Sequence, residues 1–134
     1  MALRRRAPEI GVVAVALALN LWNLSVNGYA NTYYAAAVRS MSRSWHDFAY
    51  ASVDPGGWIT VDKPPLALWI QALSARVFGY SSWSLLVPSA LAGAGAVALV
   101  MWMVRRTWGR APGLIAGLTL ALTPVAVAVA RSNN

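Results

Sequence analysis

Three stretches of the chain, residues 10–38, 77–104 and 111–130, contain no Asp, Glu, Lys or Arg. Each reaches the roughly 20 apolar residues that a helix needs to cross a bilayer. The pattern predicts membrane spans at about 10–26, 84–104 and 111–128, so the expected fold class is an all-α membrane protein with three transmembrane helices. Small residues recur every four positions at Ala90, Ala94 and Ala98 and at Gly113 and Gly117, which allows helix backbones to approach closely.

The segment between the first two spans, about residues 27–83, is too long for a simple connection. Over residues 32–45, Tyr34, Val38, Met41 and Trp45 recur at helical spacing, with Arg39 and Arg43 on another face. That pattern predicts one amphipathic helix lying in or on the interface. Asp54-Pro55-Gly56-Gly57 reads as a turn, since proline presets φ and glycine accepts positive φ. Pro64-Pro65 then opens a helix over residues 66–78, closed by Gly79. Its short length, together with Gln71 and Arg76, makes it a juxtamembrane helix. A fourth span here would reverse the placement of the two later ones.

Only 11% of residues are charged and mean hydropathy is +0.52, whereas soluble domains are about a quarter charged. The net charge of +7 does not point to nucleic acid, because Arg4, Arg5, Arg6, Arg105, Arg106 and Arg110 flank the apolar runs. Basic flanks are retained in the cytoplasm, so the expected topology in the plasma membrane is multi-pass, with the amino terminus inside and residues 27–83 outside. No small-x-small cleavage site follows the first run, which is therefore read as an uncleaved helix. The chain has no cysteine, which excludes disulfides and thiolate chemistry.

Three of the four acids, Asp47, Asp54 and Asp62, and the single histidine, His46, fall in the external loop. Asp62-Lys63-Pro64-Pro65 places an acid and a base just before a helix start, where an anion would meet Lys63 and free backbone amides together. The alternative is an exposed ion pair beside a proline turn, which contributes little. His46 and Asp47 could ligate a metal, although adjacent residues rarely converge on one ion. The aromatic residues of the loop fit an interfacial belt or a surface for stacking on a sugar or lipid chain.

Taken in order, Asn31-Thr32-Tyr33-Tyr34-Ala35-Ala36-Ala37-Val38, Ser40-Met41, Ser44-Trp45, Asp54-Pro55-Gly56-Gly57, Asp62-Lys63-Pro64-Pro65-Leu66 with Trp69, and Arg131-Ser132-Asn133-Asn134 carry a family likeness. They resemble the start of a GT-C fold, polyprenyl-phosphate-dependent glycosyltransferase. The branch is that of the bacterial protein O-mannosyltransferases and lipid A aminoarabinose transferases, similar to glycosyltransferase family 39. The resemblance covers essentially the whole chain and implies that residues 1–134 are the N-terminal part of such a transmembrane domain, inactive alone. It implies transfer of a sugar, as in mannosyltransferases, from a polyprenyl-phosphate donor in the membrane lipid to an acceptor on the outer face.

By the same resemblance Lys63 contacts the carrier phosphate, and Asp62 holds a divalent metal ion or orients the site. Asn31, Tyr33, Tyr34, Arg131 and Asn133 are candidates for substrate binding. Similar enzymes carry an Asp-Glu pair where this chain has Ala30 and Asn31. Either Asn31 serves only in binding, with Asp54 or another acid as base, or the base lies elsewhere. The competing reading is a small non-catalytic membrane scaffold or partner subunit in which Asp62-Lys63 is only a turn. A transporter or channel is disfavoured because all three spans lack intramembrane charge.

Overall fold

The computed structural model describes residues 2–133, with side chains from Arg6 onward; Asn134 and the side chains of Arg4 and Arg5 lie outside the described residues. It is all-helical: α1 (Ala2–Leu21), a short 3-10 helix (Leu24–Asn27), α2 (Thr32–Arg43), α3 (Trp45–Tyr50), α4 (Leu66–Phe78), α5 (Ser82–Trp108), α6 (Arg110–Leu122) and α7 (Pro124–Ala130). The chain divides into two compact units, Met1–Trp22 with Ala90–Ala130, and Asn23–Ser89 with Arg131–Asn134.

The first unit packs Val12 and Ala16 of α1, Ala94, Val97 and Met101 of α5 and Ala121 of α6 into one apolar cluster. The small residues act as expected. A Cβ at Gly113 would lie 2.7 Å from Arg105 Cβ and 2.9 Å from the Met101 carbonyl oxygen, and one at Gly93 would lie 2.6 Å from Ala130 Cβ. Larger side chains there would push the helices apart. Asn20, buried near the end of α1, donates from its side-chain amide to the Ala90 carbonyl at 3.1 Å. At the opposite end of α1, Glu9 accepts hydrogen bonds from Arg105 at 3.0 Å and Arg110 at 2.9 Å. Arg105 and Arg110 thus hold the α5–α6 corner against α1.

Among the described residues one helix, α5, is long and apolar enough by itself to cross a membrane. Its 27 residues span about 40 Å at 1.5 Å per residue. Ser81 and Ser84 start it with reciprocal bonds, each hydroxyl accepting from the other's backbone N–H at 3.0 and 3.3 Å. The expected third span is divided: α6 and α7 meet at a 65° bend and pass as a span only when taken together. The break falls where Thr123 is extended and Pro124 has no N–H to continue the ladder, as the restrictions on proline and its predecessor require. The expected first span is also shorter than predicted. α1 ends at Leu21, after which Asn23 takes a left-handed conformation at φ 48, one that asparagine tolerates. Any 18 consecutive residues of α1 therefore include Arg4, Arg5, Arg6 and Glu9, and the helix does not stand among the apolar spans.

The second unit contains the expected short helices. α4 has the predicted bounds and buries Leu68, Gln71, Ala72 and Ala75. Its Leu66, Ile70, Leu73 and Val77 form a second, exposed apolar stripe. On α2, Tyr34, Val38 and Met41 share a buried face, but Trp45 does not join them and is 66% exposed. The helix stops because Ser44 is extended, and the Ser44 hydroxyl accepts from Asp47 N–H at 3.2 Å to open α3 instead. Trp45 then lies with its ring 3.8 Å from the Arg76 guanidinium. Arg76 also donates to the Met41 and Ser44 carbonyls at 2.6 and 2.8 Å, satisfying acceptors that the end of α2 leaves open.

Candidate functional site

The second unit gathers most of the residues singled out in the sequence around the start of α2. Asn31 caps this helix, its side-chain oxygen accepting from Tyr33 N–H at 3.0 Å. Its own backbone groups are held from far along the chain: Asn31 N–H donates to Asn133 Oδ1 at 2.7 Å, and Asn133 Nδ2 donates to the Asn31 carbonyl at 3.1 Å. Asn27 Nδ2 donates to the Arg131 carbonyl at 3.0 Å, so residues 131–133 lie along residues 27–31. Asn133 is 1% exposed, and a buried amide is retained at low cost only when its polar atoms are bonded. Ala30, just before the cap, has φ 53.

One turn into α2, the buried Tyr34 meets the Asp62-Lys63 pair. Its hydroxyl donates to Asp62 Oδ1 at 3.3 Å, and the Lys63 ammonium lies 5.5 Å from its ring centroid. The neighbouring Tyr34 hydroxyl, ahead of the charge of Asp62, raises the Lys63 pKa above its ordinary value. The lysine is exposed and cationic. Pro65 supplies no side-chain cap to α4, so the first amides of that helix have no capping acceptor. Tyr33 packs edge-on against Tyr34 with centroids 5.2 Å apart.

Asp54 belongs to a different arrangement. Its Oδ1 accepts from Ile59 N–H at 2.8 Å and its Oδ2 from Gly56 and Trp58 N–H at 3.0 and 3.3 Å. These bonds, led by that from Ile59, lower its pKa; it organises the turn over residues 54–59. His46 Nδ1 lies 3.5 Å from Oδ1 of the buried Asp47, beside Gly57. Among the described residues no three His, Cys, Asp or Glu side chains come together to hold a metal ion. Asp62 brings one carboxylate, engaged by Tyr34, so the described residues do not by themselves fit a divalent ion.

Two features of the unit have no counterpart in the sequence reading. One is the Asn27 and Asn133 clamp. The other is a cleft of about 410 Å³ lined by Tyr29, Thr32, Arg39 and Tyr80, in which Tyr29 and Tyr80 stack at 5.2 Å and the Arg39 guanidinium lies 5.5 Å from the Tyr80 ring.

The sequence profile of the dolichyl-phosphate-mannose-protein mannosyltransferases matches residues 62–134, more than half of the chain, beginning at Asp62 itself. The chain belongs to that family. Among curated relatives, "Putative mannosyltransferase YycA" of Bacillus subtilis (strain 168) is 50% identical over 128 residues, covering 96% of this chain. "Putative mannosyltransferase YkcB" of the same organism is 46% identical over 134 residues, covering 98%. The chain spans 19% of the length of each of these two mannosyltransferases. No solved structure is a significant match.

The clamp makes a prediction for this member of the family. Asn133→Ala should remove the acceptor of the Asn31 N–H and one of the two donors to its carbonyl, which keeps the Ala35 amide at 3.0 Å, destabilise the second unit by about 1–3 kcal/mol and speed hydrogen exchange at the Asn31 amide. Asn31→Ala, which keeps those backbone groups, should cost about 1 kcal/mol through the lost cap without that local effect. Unchanged exchange at residue 31 in Asn133→Ala would show that the clamp is absent in solution.

Proposed function

We propose that this chain is the N-terminal part of a membrane mannosyltransferase that takes its sugar from a polyprenyl-phosphate donor on the outer membrane face. The reading is carried by the convergence of Tyr34, Asp62 and Lys63 at the point where the family match begins. In the reaction the bond between the sugar anomeric carbon and the phosphate oxygen breaks, and the carrier phosphate leaves with the electron pair. An acceptor oxygen bonds to the same carbon and gives up its proton to a base. Lys63, a cation beside Tyr34 and Asp62, stabilises the growing negative charge on the phosphate, as a preorganised cation does. The uncapped amides at the start of α4 add to the same field.

Asp62 orients Tyr34 and Lys63 and needs no metal to do so. Asp54 serves the turn and not the acceptor proton, because its oxygens are engaged by three backbone N–H groups. Asn31, Tyr33, Arg131 and Asn133 shape the wall on which the donor rests. Because the chain is a fifth of the length of its relatives, transfer requires the remainder of the enzyme.

Sugar transfer from a polyprenyl-phosphate donor by the full-length enzyme in proteoliposomes tests this role. Lys63→Met should reduce turnover on the order of a hundredfold, with insertion unchanged, and Lys63→Arg should keep part of the activity. Near-normal turnover by Lys63→Met would reduce the motif to a turn and favour the non-catalytic reading.

The topology is part of the same proposal: α5 and the bent α6–α7 pair are spans, α1 is a further one whose charged start, residues 4–9, stays at the cytoplasmic surface, both arginine clusters are cytoplasmic, and residues 27–83 face outward. A cysteine introduced at position 56, unique in a chain without cysteines, should react with an impermeant reagent in intact cells. Labelling only after permeabilisation would overturn the orientation.

A further inference from the structure

Within the first unit a groove of about 730 Å³ runs between α1 and α5. Ile10, Val13 and Leu17 line it from α1, and Met101 and Trp102 from α5. At one end stand Arg6, Arg105 and Arg106, with Glu9 among them. The walls are apolar and the basic groups are confined to that end, which is the shape of an amphiphile.

The charge balance there is strongly one-sided. The first unit contains six arginines and a single acid, Glu9, and Glu9 is shared by Arg105 and Arg110. The unit therefore supplies no carboxylate for Arg6 or Arg106. Arg106 is also positioned over the groove wall, its guanidinium 5.4 Å from the Trp102 ring centroid. The groove has a defined depth as well. From Arg6 to Leu17 is eleven residues of helix, about 16 Å at 1.5 Å per residue. One leaflet contributes about half of the roughly 30 Å hydrocarbon thickness of a bilayer, so the groove matches one acyl chain whose headgroup stays at the surface. Arginine recognises a phosphodiester through paired hydrogen bonds, and basic pockets between membrane helices hold anionic headgroups.

The geometry points to a binding groove for an anionic diacyl phospholipid, with its phosphodiester between Arg6 and Arg106 and an acyl chain along Val13, Leu17 and Met101. This site is independent of the transfer reaction and of Lys63. The lipid would hold α1 to α5 at the end where their basic residues repel one another, so the local lipid composition would regulate the stability of this helix pair.

The test uses the full chain in nanodiscs made from equal amounts of phosphatidylglycerol and phosphatidylcholine. It is then extracted in mild detergent, and the retained lipid is measured by mass spectrometry. Phosphatidylglycerol should be retained in excess. Arg6→Gln with Arg106→Gln should reduce that excess roughly tenfold, while Arg43→Gln, which removes an arginine from the other unit, should leave it intact. Val13→Trp fills the groove without touching a charge and should release lipid while helical content stays the same, which keeps the proposal testable if the double variant folds poorly. Equal retention of the two lipids by the native chain, no retained lipid because another part of the protein occupies the groove, or retention indifferent to both variants would each overturn it.

Discussion

The side chain of Asn133 makes two hydrogen bonds to the backbone of Asn31, a residue 102 positions away. The bonds fix where the start of α2 sits in the second unit. Both atoms of the Asn133 amide are used, and the side chain is fully buried, so no rotamer that breaks the pair leaves it satisfied. Asn27 extends the junction with a third bond to the Arg131 carbonyl. The junction holds the backbone of the cap residue, while its side-chain oxygen receives the Tyr33 amide. Tyr34 follows directly, so the position of its hydroxyl depends on the same pair of asparagines.

Tyr34 in turn decides what the Asp62-Lys63 dipeptide can do. An exposed acid next to an exposed lysine is screened by water and gains little. Here the phenol is hydrogen-bonded to Asp62 and its ring lies beside the Lys63 ammonium. That contact is what the proposed site adds to the bare dipeptide. Asp54 shows the opposite case: a carboxylate with ordinary sequence surroundings whose oxygens are consumed by the backbone of its own turn. The two acids look alike in the sequence and differ entirely in which donors reach them.

Local signals in the sequence located the elements whose ends are set by local chemistry. Pro64-Pro65 and Gly79 bounded α4 correctly, and the four-residue spacing of Gly113 and Gly117 marked a true close approach. Other features depended on competition that composition does not display. Trp45 continues the apolar stripe of α2 on paper, but the Ser44 hydroxyl captures the Asp47 amide and restarts the helix out of phase. Pro124 lies in an uninterrupted apolar run, so hydropathy alone read through the bend that the missing amide imposes. The arrangement of the candidate residues was not legible, because the Asn133 clamp and the Tyr34 bridge join segments distant in sequence.

The central claim is that the wall formed by the start of α2 and the Asp62-Lys63 turn receives the phosphate of a lipid-linked donor. A polyprenyl phosphate bearing a photoreactive diazirine next to its phosphate, cross-linked to the full-length enzyme in membranes and mapped by peptide mass spectrometry, addresses it directly. The account predicts labelling within residues 31–34 and 62–66, diminished by excess unmodified donor. Labelling confined to the turn over residues 54–59, or to residues outside the second unit, would contradict it.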